Sequence, residues 1–188
     1  PLVIPVAVGL IGPDGEDLPL RLEGDSAAGA TTRVLELVEA EQHFVFEDVD
    51  AEPVPSLLRG FSAPVLLEID ESDARLAFRM AHDADPCNRW DAAQRYAERV
   101  ILALAAKADA DVPEAFLDAW GALLADESLD PAFVALAATL PGEGWLLERM
   151  RPADPAPLRA ALMRVMRAIG ERFADQWLGL YQRLEVRG

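Results

Sequence analysis

Few residues in this chain could do chemistry, and their spacing joins none of them into a catalytic set. The two histidines, His43 and His82, have no second histidine four positions away, so the HExxH arrangement that holds zinc on a helix face is absent. Each reads as structural or solvent-exposed. Asp48, Asp50 and Glu52 have the alternation that opens a calcium-binding loop. The sixth position of that loop holds Pro53 where its sharp turn needs Gly, and the twelfth holds Arg59 where a bidentate Glu closes the site. The run reads instead as a solvated acidic edge, which would also keep an edge strand from pairing with other chains. Cys87 has no base beside it and reads as buried or inert. Ser26, Ser56, Ser62, Ser72 and Ser128 lie in no nucleophile-elbow motif. Trp90, Trp120, Trp145 and Trp177 fall on apolar helix faces, where packing is the expected role. No catalytic, substrate-binding or metal-ligating residue is assigned, and no cofactor.

The elements that carry these residues change character between Phe61 and Arg95. Before that stretch the sequence reads as strands, and after it as helices. Val3 to Ile11 is an apolar strand closed by the turn Gly12 to Gly15, with Leu18 to Leu22 returning as the second arm of a hairpin. Gly24 to Ala30 is a loop. Val34 to Val38 and His43 to Val49 read as two further strands, Pro53 and Pro55 frame a kink, and Val65 to Ile69 reads as a last buried strand. From Ser72 the apolar spacing becomes helical. Asp85-Pro86 starts a helix to about Ala108 in which Trp90, Ala93, Ala97, Val100 and Leu104 form the buried face, Trp90 packing against the last strand. Pro113 to Ala125 is the next helix, and Asp130-Pro131 caps a third that carries Phe133, Leu136, Ala137 and Leu140. Trp145 to Met150 is short, and Asp154 to about Arg183 keeps one register as a single long helix. The fold class is mixed, in two parts: an N-terminal antiparallel Ig-like β-sandwich at residues 1–71, then an all-α helical bundle or α-solenoid at residues 72–188.

Charge narrows the partners. Residues 1–75 hold 16 acidic against 4 basic side chains, and residues 76–188 hold 17 against 13. A chain of net charge −16 repels phosphate, so nucleic acid is a poor partner. No apolar run approaches the roughly 20 residues that span a bilayer, since Pro5 and Gly9 interrupt the stretch from Leu2 to Ile11. One cysteine fits a reducing compartment, hence the cytoplasm. Opening on Pro1 inside a strand pattern points to a piece of a longer protein.

Five segments, in collinear order, carry a family resemblance: IPVAVGLIGPDG (Ile4 to Gly15), EQHFVFEDV (Glu41 to Val49), PVPSLLRGFSAPVLLE (Pro53 to Glu68), NRWDAAQ (Asn88 to Gln94) and DESLDPAFVALAATLP (Asp126 to Pro141). Together they resemble bacterial aminopeptidase N, the alanyl aminopeptidases of the thermolysin-like zinc peptidases. The resemblance implies the late β-sandwich and the opening helices of the helical domain that closes over the active site. It also implies a parent activity, removal of N-terminal residues from peptides by metal-activated water. The family's HExxH helix and its amine-binding GxMEN segment have no counterpart in residues 1–188, so catalytic, substrate-binding and metal residues are none here. The resemblance implies zinc in the parent enzyme. The implied partners are the catalytic domain, the remaining helices and the parent's peptide substrate, with a homodimer through an exposed final helix for the isolated chain. The alternative is an autonomous sandwich-plus-helix protein-binding module.

Overall fold

A computed structural model of the chain describes residues 2–185. The chain divides into two compact units, Pro1–Ala92 and Ala93–Gly188. Each is considered by itself.

The first unit is built on β1 (Ile4–Ile11), the middle strand of a three-stranded antiparallel sheet. Ala7, Val8, Leu10 and Ile11 are all buried, so both faces of its second half are covered and the sequence reads as a continuous apolar run. β2 (Arg33–Leu37) pairs with it from Ile4↔Leu37 to Val8↔Arg33. β3 (Val54–Leu57) pairs on the other side, from Val8↔Leu57 to Ile11↔Val54. Pro55, opposite Leu10, is tolerated because β3 is an edge strand. Where the sequence spoke for a kink framed by prolines, the chain forms a strand.

Three expected strands do not form ladders. The turn Gly12–Gly15 is closed by Gly12 N–H on Glu16 O at 2.8 Å, but the return makes only the bridge Ile11↔Asp17 and the bond of Leu18 N–H to Leu10 O. β2 and β3 already hold β1 from Ile4 to Ile11, which leaves a hairpin arm only the strand's end. Leu22 then meets the expected strand His43 to Val49 at the single bridge Leu22↔Phe46, and Asp48, in the left-handed region at φ 57, ends the pairing. Val65 to Ile69 is not a strand either. Val65 N–H turns back to Ala63 O, and Leu66 is 87% exposed.

α1 (Asp73–His82) begins where Ser72 Oγ accepts the Arg75 N–H, and it buries Leu76 and Met80 completely. α2 (Pro86–Ala106) begins with Asp85 Oδ1 accepting the Asn88 N–H at 3.0 Å, and the unit boundary falls within it. Its buried stripe runs through Arg89, Ala92, Ala93, Tyr96, Ala97, Val100, Ile101 and Leu104. Trp90 is therefore one position off the stripe and 39% exposed, which corrects its expected place in the core. Arg89 takes the inward position because its guanidinium donates to Met80 O and Ala81 O, the end of α1.

The second unit holds α3 (Glu114–Ala125), α4 (Pro131–Ala137), α5 (Glu143–Arg149), α6 (Pro155–Arg172) and α7 (Ala174–Leu184). Asp130 and Asp154 cap α4 and α6 ahead of their first-turn prolines. Phe116, Trp120 and Leu123 of α3, Leu146 of α5, and Leu158 and Val165 of α6 make the core, and α6 packs on α3, α5 and α7. Leu136 and Trp145, expected inside, are more than half exposed. Trp145 lies under the Arg149 guanidinium at 3.6 Å and donates its indole N–H to Glu98.

The single long helix expected from Asp154 to Arg183 is two helices. Phe173, at φ −115 and ψ 19, breaks it, and the reason lies in α3. A side chain at Gly121 would meet the Phe173 ring at 2.9 Å, so the ring occupies the notch that Gly121 leaves, and the backbone bends to bring it in. Gly121→Val should therefore overpack this contact and destabilise the chain by about 1–3 kcal/mol. Gly179→Ala, with open space around the added atom, should stabilise it by up to about 1 kcal/mol. Urea denaturation of both variants checks the pair, and equal effects would contradict the notch.

Candidate functional site

A dense polar assembly is buried in the first unit and centred on Arg59. This side chain, 7% exposed, lies on the short 3₁₀ turn Arg59–Phe61 that follows β3. Its guanidinium grips Asp17 with both terminal nitrogens, each at 2.6 Å, and reaches Thr32 Oγ1 at 3.0 Å. Its Nε donates to Ser56 Oγ at 2.9 Å. The guanidinium lies flat on β1 at Gly9, where an added Cβ would stand 2.0 Å from Cζ, so only glycine leaves room for it.

Ser56 passes the connection on. Its hydroxyl donates to Asp83 Oδ1 and accepts from Asn88 Nδ2, both at 2.9 Å, and Asn88 also donates to Leu57 O. Asp83, 1% exposed just past the end of α1, receives the Arg79 Nε at 3.4 Å and the Asp85 N–H at 3.0 Å. Arg79 in turn is held by both oxygens of Glu71 and donates to Asn88 O. Two buried arginines and three carboxylates thus tie the strands to α1 and the start of α2, with every group hydrogen-bonded.

The turn above this network is strained. Leu58, Gly60 and Phe61 all have positive φ, at 58, 61 and 55. Each non-glycine residue there costs on the order of 1 kcal/mol, and the surroundings hold it in place. Gly60 N–H donates to Asp85 Oδ2 at 2.7 Å, and Ser62 Oγ accepts the Ala7 N–H at 2.9 Å.

Electrostatics follow burial. Burial works most strongly against the charge on Arg59, but the Asp17, Asp83 and Asp85 carboxylates together outweigh it and raise the guanidinium above its ordinary range. Burial pushes the Asp83 carboxyl up, beyond what the Asp85 N–H, Arg79, Ser56 and Arg59 draw it down.

The residues singled out from sequence do not converge. His43 is on the surface beside Glu41. His82 is exposed, its ring against Phe78 at 4.7 Å and over Gly15, whose φ of 88 and missing side chain make the space. Asp48 bonds Arg21 at 2.6 Å and Glu52 bonds Arg75 at 2.5 Å, so those carboxylates turn to separate partners. Arg59, read as the residue that spoils a calcium loop, is the hub of the network. Cys87 is exposed, not buried. Ser56 is fully buried, Ser62 and Ser72 accept backbone N–H groups, and Ser128 donates to Asp126. Among the described residues no group of three or more His, Cys, Asp and Glu side chains could hold a metal ion. A groove of about 490 Å³ lies in the second unit between α3, α4 and α7, lined mainly by apolar side chains that include Leu124, Val134, Trp177, Leu180 and Tyr181.

Arg59→Met should cost about 3 kcal/mol, because it leaves the part-buried Asp17 carboxylate and the buried Ser56 hydroxyl without their charged partner. Urea denaturation reads this, and a loss below about 1 kcal/mol would contradict the role given to Arg59. The pH dependence of Asp83 has a definite sign. Its folded carboxyl holds a proton to higher pH than the unfolded chain does, so its contribution to stability falls as pH rises from about 3.9 through the raised folded value. Asp83→Asn lacks that fall. Asp25, held low first by the Arg33 guanidinium, contributes the opposite sign in both proteins and cancels. The stability of Asp83→Asn relative to the parent chain should therefore improve between about pH 4 and about pH 7. Worsening over that interval would contradict it.

Comparison with known proteins supplies the family. A model described as a domain of unknown function, DUF3458, with an Ig-like fold matches residues 1–70, and its companion DUF3458_C, described as ARM repeats, matches residues 73–188. Aminopeptidase N of Escherichia coli (strain K12) is 36% identical over 185 residues, covering 96% of this chain and 21% of that protein. Aminopeptidase N of Caulobacter vibrioides is 35% identical over 183 residues, covering 97% of this chain and 20% of that protein. The crystal structure of Legionella pneumophila aminopeptidase A in complex with aspartic acid matches at 25% identity and a TM-score of 0.76, over 99% of this chain and 21% of that one. The chain thus spans about a fifth of the length of the curated relatives it matches. With an Ig-like part that matches DUF3458, built on a small antiparallel sheet, and ARM-like helices after it, homologous to a stretch of aminopeptidase N, this chain belongs to the DUF3458_C family.

Proposed function

We propose that the chain is a non-catalytic part of a zinc-dependent aminopeptidase, an alanyl aminopeptidase that removes N-terminal residues from peptides. The observation that carries this reading is the 36% identity to aminopeptidase N across 96% of the chain, which accounts for only 21% of that relative. No described cluster of side chains fits a zinc ion, so zinc and the reacting groups are assigned to the rest of the longer enzyme. The Ig-like part acts as a spacer, and the helices form part of the lid over the active site. The chain's two domains are residues 1–71, the spacer, and residues 72–188, the lid helices. α1 and the first turn of α2 nonetheless share the buried network with the strands.

The partners in this reading are the catalytic domain and further helices of the same polypeptide, with peptide substrate bound by the whole enzyme. Further helices are supported by α7, whose Leu178, Tyr181 and Leu184 are at least half exposed, and by the apolar groove beside it. In an α-solenoid an apolar outer face is normally covered by the next repeat. In the isolated chain the same face would support a homodimer or fray. Residues 186–188, which follow that helix, lie outside the described residues. A single cysteine supports a cytoplasmic setting. No helix among the described residues is long and apolar enough to cross a membrane.

The test uses the reading frame that contains this sequence. The longer polypeptide should encode HExxH upstream, hold one chelator-sensitive zinc and cleave an alanine anilide. The 188-residue chain should do neither. Stoichiometric zinc or turnover by the pure 188-residue chain would overturn the proposal, and a reading frame without HExxH would favour the autonomous binding module.

A further inference from the structure

We propose that residues 61–67 are the docking segment for an adjoining domain of the longer polypeptide, an inference that rests on the aminopeptidase reading. Phe61 is 70% exposed and Leu66 87%, with Val65 and Leu67 at 38% and 39%. Single exposed apolar side chains are ordinary on a protein surface, but four large ones in so short a segment are a concentration that marks an interaction site.

The segment is fixed at its start. Phe61 sits in the left-handed region two residues after the buried Arg59, Gly60 and Ser62 are hydrogen-bonded on either side of it, and Ala63 is buried. Backbone strain maintained by a fully satisfied network, with the strained side chain turned to solvent, serves presentation of that side chain rather than packing. Phe61, held in this way, loses little entropy when it docks.

Two observations choose the occupant. The matched region makes up 21% of aminopeptidase N, so about four fifths of such a polypeptide is available to cover it. A second copy of this chain is disfavoured by charge: residues 1–75 carry 16 acidic against 4 basic side chains, and Glu68 and Asp70 follow the segment directly. The complementary surface is an apolar socket with a basic rim, supplied by the same polypeptide.

Hydroxyl-radical footprinting of Phe61 and Leu66 tests this in the 188-residue chain and in the longer polypeptide from the same reading frame. Both side chains should label strongly in the short chain and several-fold less in the longer one. Leu66→Asp should restore the labelling of Phe61 in the longer polypeptide. In the short chain, where Leu66 meets water, the same variant should leave the melting temperature within a degree or two. Equal labelling in the two proteins would overturn the docking segment and leave the aminopeptidase reading standing. A reading frame that encodes no aminopeptidase would remove that reading and the proposed occupant together. Concentration-dependent protection of Phe61 in the short chain, abolished by Leu66→Asp, would identify a self-interface and overturn the proposal.

Discussion

A guanidinium laid on the middle strand of a sheet, in the space that a glycine leaves, organises the first unit of this protein. Arg59 stacks over Gly9 and is gripped by Asp17, so the loop after β1 and the turn after β3 are fixed to one point. Burying this charge is tolerable because its donors find acceptors. Ser56 then carries the connection to Asp83 and Asn88, and from there Arg79 and Glu71 complete it. A three-stranded sheet has little apolar area of its own, and in this unit a polar network provides the registration that a larger core would otherwise supply.

Sequence made the local signals legible. Ser72, Asp85, Asp130 and Asp154 each mark a helix start because a short acceptor beside an apolar period is a local chemical fact. β1 and β2 were legible as apolar or alternating runs. What was hidden depended on partners distant in the chain. Pro55 argues against a strand unless one knows that it lies on an edge. Val65 to Ile69 has strand composition, but Val65 turns back on Ala63 and the run stays in solvent. The long helical register from Asp154 to Arg183 gives no hint of its break, because the cause is Gly121, on another helix.

The buried network was illegible for the same reason. Arg59 and Asp17 are 42 positions apart, and Ser56 and Asn88 are 32, distances at which no periodicity connects a donor to its acceptor. The available hint was an arginine between two leucines and Gly60-Phe61, a charge in an otherwise apolar run. The family resemblance was legible because it required only order along the chain. It led to homology with a stretch of aminopeptidase N and to a fold of Ig-like and ARM-like parts. In the proposed role the fold's task is placement: the network fixes the turn from Arg59 to Ser62 and presents Phe61 to an adjoining domain.

The central claim is that the Arg59–Asp17 pair is energetically coupled rather than merely adjacent. A double-mutant cycle of Arg59→Met and Asp17→Asn, followed by urea denaturation of the 188-residue chain, measures that coupling directly. The bidentate geometry, with Arg59 buried and Asp17 part-buried, predicts an interaction of about 2 kcal/mol or more. Additivity to within about 0.5 kcal/mol would mean that the two groups stabilise the fold independently, and would contradict the account.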